Sequence, residues 1–380
     1  KVMWWNGALH ALPEIKPLML ARCAVALLML SVACLPARAA DLLETYRLAQ
    51  SNDPAFEAAR YALAAAQEKI PQARAGLLPV VNLNGNNNLN HATSEFSSVP
   101  PVSRDVRSWA WTLQLTQPLF RAQNVFAYSE AEMLAEQARA QYSWAEQDLI
   151  LRVTQAYFDV LVVQESIEVA DVQLKAAEEQ LALAQRGFEA GANAITDVHE
   201  ARSRADLARS QRIAAVSELD AKQAELEKVV GQETRALAAL QAAVVVPRPQ
   251  PDNARAWIEQ ARDNNPTVLA PKAALGAAQA TVGKSRSEYA PTVDLVASYG
   301  KNYSSGNAST PSDFETRTDS SQVGVQLTVP LFAGGGTRSR VSEAMARVGK
   351  ASAELEVARR QAATEARRAY SAIVNGLAQI

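Results

Sequence analysis

The stretch Leu149-Ile-Leu-Arg-Val153-Thr-Gln-Ala156-Tyr-Phe-Asp-Val160-Leu-Val-Val163-Gln-Glu-Ser-Ile167 opens a run continued by Ala170, Leu174, Ala177, Leu181, Ala184 and Phe188, at alternating steps of four and three. That spacing is a heptad seam. Neither glycine nor proline interrupts the chain between Arg121 and Arg186, so one helix is expected from Arg121 to about Ala190. At 1.5 Å per residue it would reach roughly 100 Å, the dimension of a rod or tube wall. The chain turns at Gly187-Phe-Glu-Ala-Gly191-Ala-Asn-Ala-Ile195, and a second helix is expected from Thr196 to about Val230. Its seam is Val198, Ala201, Ala205, Ala208, Ala215, Leu219, Leu226 and Val229, with Arg212 and Lys222 at two seam positions. The pair is read as an antiparallel hairpin whose alanines allow close approach.

The 380 residues are 48% hydrophobic but only 6% aromatic, which suits helices packed on alanine better than one large globular core. The net charge of −2 conceals a basic start: Lys1, Lys16, Arg22 and Arg38 against Glu14 leave residues 1–40 at +3 and the remainder near −5. That remainder argues against nucleic-acid binding. Met19-Leu-Ala-Arg22, the apolar run from Cys23 to Leu35 and Ala37-Arg-Ala39 read as a bacterial secretory signal ending before Ala40. The apolar run is shorter than the ~20 residues a membrane-spanning helix needs. Both cysteines, Cys23 and Cys34, fall inside the signal, which leaves no disulfide framework or thiolate metal site.

Beyond the signal, Asp41 to Leu77 reads as helix with a break at Asn52-Asp-Pro54, where Pro54 suits a first helical position. Past Pro79 the period becomes two: Val81, Leu83 and Gly85 alternate with Asn82, Asn84 and Asn86. Residues 90–104 are rich in Ser, Thr and Pro and read as an exposed loop. Trp109, Trp111, Leu113 and Leu115 then alternate with Ala110, Thr112, Gln114 and Thr116. Two strands joined by a long loop are expected.

The landmarks recur. Asn52-Asp-Pro54 returns as Asn264-Asn-Pro266, Pro79 as Pro291, and Pro118-Leu-Phe120 as Pro330-Leu-Phe332, each at an offset of 212. A shared offset across such a length marks an internal duplication. Strand signals return as well: Val293 and Leu295 alternate with Thr292 and Asp294, and Val323, Val325 and Leu327 with Gln322, Gly324 and Gln326. The expected organisation is residues 1–39 as upstream residues and signal, 40–246 as the first repeat and 247–380 as a second repeat cut within its long helix. Position 380 corresponds to about position 167, so a full second copy would run roughly 80 residues further.

Four strands with one apolar and one small or polar face match transmembrane β-barrel strands. Backbone groups in lipid must all pair, so strands cross a bilayer only as a closed barrel, and the smallest such barrels use about eight strands. Copies of the chain would therefore share one barrel. Lipid would meet Trp109, Trp111, Leu113, Leu115, Val293, Leu295, Val323, Val325 and Leu327, and the loops at 90–104 and 303–318 would face outward.

At this point the chain resembles the TolC-family outer membrane factors. The resemblance runs from residue 41 to 380 and is carried by the duplication, the Asn-x-Pro starts, the Pro-Leu-Phe strand ends and the hairpin tip. In the tip, Arg186, Phe188, Gly191 and Ala194-Ile195-Thr196-Asp197-Val198 look like the family's periplasmic pattern. The resemblance implies an α+β membrane fold: a homotrimer with a twelve-stranded barrel, four strands per protomer, continued by a long antiparallel coiled-coil tunnel. It implies an outer-membrane exit duct with a periplasmic extension, meeting a periplasmic adaptor (membrane fusion) protein and an inner-membrane pump of ABC, RND or MFS type. It also implies that Thr196 and Asp197 gate the periplasmic end. Departures stand at Ala190 and Ala192, where bulkier residues commonly flank the glycine, and at the extra Gly187.

Plainer readings stand beside these. Thr196 or Asp197 would serve as an N-cap, with Glu200 as a capping-box partner. Gly334-Gly-Gly-Thr337 lacks the GK[ST] ending of a phosphate loop and reads as a turn. His91 and His199 lie in different regions, so no catalytic residue, metal site or cofactor is expected. The competing class is a periplasmic coiled-coil adaptor or scaffold, which leaves the four strands without a purpose. Drug efflux and protein secretion are both open as cargo.

Overall fold

The seam folds as one uninterrupted helix, α4, from Ala122 to Glu189, 68 residues long. The computed structural model describes residues 40–97, 99–233, 236–240, 246–306 and 314–379. The expected signal, residues 1–39, and the middle of the second outer loop lie outside them. Three helices precede the sheet: α1 (Leu42–Asn52), α2 (Pro54–Gln67) and α3 (Lys69–Ala75). Strands β1 (Val80–Phe96) and β2 (Val99–Phe120) lead into α4, and α5 (Ile195–Val230) returns from the tip. The order then repeats as α6 (Ala254–Asn264), α7 (Pro266–Arg286), a 3-10 turn at Ser287–Tyr289, β3 (Thr292–Ser304), β4 (Thr316–Thr328) and α8 (Gly336–Gln379). No helix of the described residues is long and apolar enough to cross a membrane.

The chain forms two compact units, one of residues up to Ala49 with Val153–Leu240, the other of Gln50–Arg152 with Gln241–Ile380. In the first, Val160 of α4 packs on Leu226 and Val230 of α5, with Leu48, Ala156, Leu219 and Leu237 around them. The charges at seam positions are matched across the hairpin. Lys222 pairs with Asp159 at 3.2 Å and Arg212 with Asp171; beside the seam, Arg209 pairs with Glu178 at 2.9 Å. The Asp159 carboxylate, seconded by Glu225, raises the Lys222 ammonium above its ordinary value. Helix α5 ends on Gly231, whose φ of 77° is the left-handed conformation that favours glycine at this position.

Beyond that cap the chain docks on the N-terminal end of the same unit, where the Ala40 N–H donates to Ala236 and the Ala238 N–H to Ala40. The Tyr157 hydroxyl donates to the Ala238 carbonyl at 2.9 Å and lies 3.3 Å from that of Ala40. Burial, then the Asp41 carboxylate, raise the Tyr157 phenol above its ordinary value, while the Ala238 hydrogen bond opposes the shift. Because the folded state favours the neutral phenol, the stability it contributes is complete below the unfolded value of ~10 and is lost as pH rises through the folded value. Tyr157→Phe is expected to lower stability by about 0.5–1.5 kcal/mol at neutral pH, and to flatten the alkaline limb of a thermal-melt series.

In the second unit the strands form one antiparallel sheet in the order β1-β2-β3-β4. Arg121, just past β2, donates through Nε and NH2 to the two carboxylate oxygens of Asp294 on β3, at 2.8 and 2.7 Å. In the same unit, Val268, Leu355 and Ala362 form the core of α6, α7 and α8. Asp53 is 4% exposed; it caps α2 by accepting from the Ala55 N–H at 3.0 Å and pairs with Arg152 at 2.6 Å.

Two expectations change. Residues 90–104 are not a loop: β1 and β2 stay in register through Asn90↔Val106 to Ser94↔Val102. Cross-strand polar pairs hold that part, His91 with Asp105 at 2.7 Å and Thr93 with Ser103 at 2.7 Å. The break expected at Asn52-Asp-Pro54 is present, at Asp53, but a second division at Glu68 makes the segment from Asp41 to Leu77 three helices.

Candidate functional site: a two-faced sheet and a helical tip

Side chains alternate along a strand, and directly paired residues of an antiparallel sheet share a face. The odd-numbered face therefore reads in rows. Val293 lies beside Leu327, Leu295 beside Val325, and Val81, Leu115, Ala297 and Val323 form the next row. Leu83, Leu113 and Tyr299 follow, then Trp111, and last Trp109 with Tyr303. All nine residues expected to meet lipid lie on this one face. The six rows, two residues apart, span roughly 24 Å once strands tilt by about 45°; the first four are free of charges and cover about 14 Å, and the two aromatic rows also carry Lys301, Asp319 and Arg317. Trp111 and Tyr299 meet edge to face at 5.6 Å, and Trp109 stacks on Tyr303 at 5.9 Å, forming an aromatic edge. On β4, Val323, Val325 and Leu327 are 76%, 64% and 63% exposed, so that edge of the band is left open within one protomer.

The even-numbered face carries amides and hydroxyls. Asn82, Gln114, Ser298 and Gln322 share one row, Asn86, Ala110, Asn302 and Thr318 another. The two faces are thus chemically opposite across a single layer of backbone.

The tip joins α4 to α5 through residues 190–194. The Ala192 and Asn193 N–H groups donate to the Gly187 carbonyl at 2.8 and 3.2 Å, and Gly191 takes a φ of 74°. Asn193 folds against Gly187: a Cβ there would fall 2.9 Å from Asn193 Cγ, and that side chain would have to shift. Arg186, Phe188, Ala194, Ile195, Thr196 and Asp197 are exposed, whereas Val198 is buried.

The capping expectation is corrected here. The N-cap of α5 is Ala194, not Thr196 or Asp197. Alanine has no side-chain acceptor, so Asp197 reaches back instead, its carboxylate accepting from the Ala194 N–H at 3.2 Å. Glu200 pairs with Arg204 at 2.6 Å. Sequence reasoning also missed the Arg121–Asp294 and Asp53–Arg152 pairs, which join distant positions; only Arg212 and Lys222, charges on an apolar seam, signalled their partnerships.

Residues 45–232 and 257–380 match the family described as outer membrane efflux protein. Over 347 residues the chain is 33% identical to the alkaline protease secretion protein AprF of Pseudomonas aeruginosa, covering 90% of this chain and 71% of the relative. Over 338 residues it is 32% identical to the outer membrane protein TolC of Vibrio cholerae, covering 89% and 75%. The fold matches that of CusC with a TM-score of 0.72 at 16% identity, over 87% of this chain and 75% of that one. It matches the outer membrane protein VceC of Vibrio cholerae with a TM-score of 0.68 at 19% identity, over 84% and 75%. With the duplicated helix-sheet-helix order, the two-faced sheet and the long helical hairpin, these matches make the chain a member of the outer membrane efflux protein family, the channels of the outer membrane.

Proposed function

We propose that this protein is the exit duct of a tripartite efflux or type I secretion system, passively conducting cargo from a periplasmic adaptor and an inner-membrane pump to the exterior. The carrying observation is the four-stranded sheet, apolar on one face and amide-lined on the other, with β1 and β4 as open edges. Open edges are not tolerated in lipid, so β4 of one copy pairs with β1 of the next. Three copies give twelve strands, a lumen of Asn, Gln, Ser and Thr, and a lipid-facing band. Leu331 and Phe332, 93% and 90% exposed beside the β4 edge, support a neighbouring copy that covers them.

Residues 40–246 and 247–380 act as two copies of one unit, each supplying two strands. At the tip, Arg186, Phe188, Gly191, Ala194 and Ile195 form the adaptor-facing knuckle, Val198 holds it from inside, and Thr196 and Asp197 govern closure. Relatives named for protease secretion and for efflux support both cargo classes for such a duct.

The test is single-channel recording in planar bilayers with the full-length protein. Stable pores from an SDS-resistant trimer are expected, and Asp197→Ala is expected to raise conductance. Unchanged conductance would leave Asp197 as a turn-closing residue. An absence of pores would favour the periplasmic scaffold.

A further inference from the structure

Two cations at the outer end of the apolar face, Arg107 and Arg317, have no acidic partner among the described residues. The last aromatic row of that face is Asn87, Trp109, Tyr303 and Arg317, set side by side by the strand register. The Arg317 guanidinium lies 5.6 Å from the Tyr303 ring centroid, and Tyr303 in turn stacks on Trp109. Arg107 stands two residues beyond Trp109 on β2, its N–H donating to Ser305 Oγ at 2.9 Å. Strand β3 separates the two arginines, which places their Cα atoms roughly 10–12 Å apart, within joint reach of one headgroup.

The surrounding charges are spent on one another or stand apart. One row nearer the apolar band, Lys301 pairs with Asp319 at 3.1 Å. Farther out, His91 pairs with Asp105 at 2.7 Å, and Glu315 forms no ion pair with either arginine. Both arginines are exposed. An aromatic belt marks the depth at which hydrocarbon gives way to headgroups. Arg317 stands in the last aromatic row and Arg107 one row beyond it, at the level of lipid phosphates, and the guanidinium fork matches phosphate oxygens two at a time.

We propose that Arg107 and Arg317, on either side of Tyr303, form a binding site for the phosphate monoester headgroup of outer-leaflet lipid. This rests on the odd-numbered face being the lipid face, with the hairpins outward. Tyr303 stiffens the site by stacking on Arg317, so less side-chain freedom is lost on binding.

The test places the full-length trimer in phosphatidylcholine nanodiscs with either lipid A or lipid A stripped of its phosphates, and reads retained lipid by native mass spectrometry. The wild type is expected to favour the phosphorylated lipid. Loss of each charge-assisted contact should weaken retention about tenfold, so the Arg107→Gln and Arg317→Gln double variant should lose the preference. Arg209→Ala, on the helical hairpin, should keep it. If the double variant does not insert, the single variants carry the comparison. Equal retention of both lipids by an inserted wild-type protein overturns the site and leaves the duct standing. Displacement of lipid by millimolar inorganic phosphate overturns lipid as the ligand. Failure of the wild type to enter the nanodisc overturns the lipid face itself, and the site with it.

Discussion

Val323→Arg will keep the protein out of the bilayer. Val323 sits near the middle of the apolar face, on the row of Val81, Leu115 and Ala297, and is 76% exposed. A guanidinium at that depth costs about 2–4 kcal/mol per copy, and a trimer carries three copies. Insertion into phosphatidylcholine vesicles, followed by protease protection, should fall to a small fraction of the wild-type yield. Gln322→Arg is the matched control: one residue along the same strand, it points to the opposite face. It should insert normally and change only the ion selectivity of the pore. Equal insertion of both variants would mean that the odd-numbered face does not meet lipid.

Arg152→Ala should cost about 3–5 kcal/mol, because it leaves the buried Asp53 carboxylate without its cation. Asp53 is 4% exposed and accepts from Arg152 at 2.6 Å; Arg152 also holds Asp148 at 2.7 Å. Burial, the largest single influence, pulls the Arg152 guanidinium down, but the hydrogen bonds and charges of Asp53 and Asp148 together hold it above its ordinary value. The second repeat contains the remedy. Asn265, offset by 212 from Asp53, caps α7 by accepting from the Thr267 N–H at 2.9 Å with no charge to compensate. Asp53→Asn combined with Arg152→Ala should therefore recover most of the loss in a denaturant titration. An equally unstable double variant would place the cost in lost packing of the arginine stem instead.

Sequence periodicity is informative where one face of an element is buried or meets a single solvent. The α4 seam was legible for that reason: its alternating steps of four and three place Leu149, Val153 and Val160 against other helices, and those three are at most 1% exposed. The inner halves of the strands were legible because apolar and amide faces alternate. The outer halves were not, since residues 90–104 are polar on both faces and Pro100 and Pro101 interrupt the pattern. Their pairing depends on partners such as His91 and Asp105, visible only once the register is known. The tip residues were located within one position, but their bonding was misassigned, because an alanine N-cap leaves no trace in a list of capping side chains. The Arg121–Asp294 bond, joining residues 173 apart, has no local signal at all.

The register of β2 and β3 also bears on how long such a protein can be. Phe120 pairs with Val293, so the entire helical hairpin, together with α6 and α7, forms from the standpoint of the sheet one connection between neighbouring strands. The entropy of closing a flexible connection grows only logarithmically, about 0.6 kcal/mol for each doubling of its length. A connection made of paired helices grows more cheaply still, provided whole heptads are added to both arms so that the seam stays in phase. The length of the hairpin and the register of the sheet are therefore separable quantities. Evolution, or an engineer, can lengthen the hairpin without moving a single hydrogen bond of the sheet.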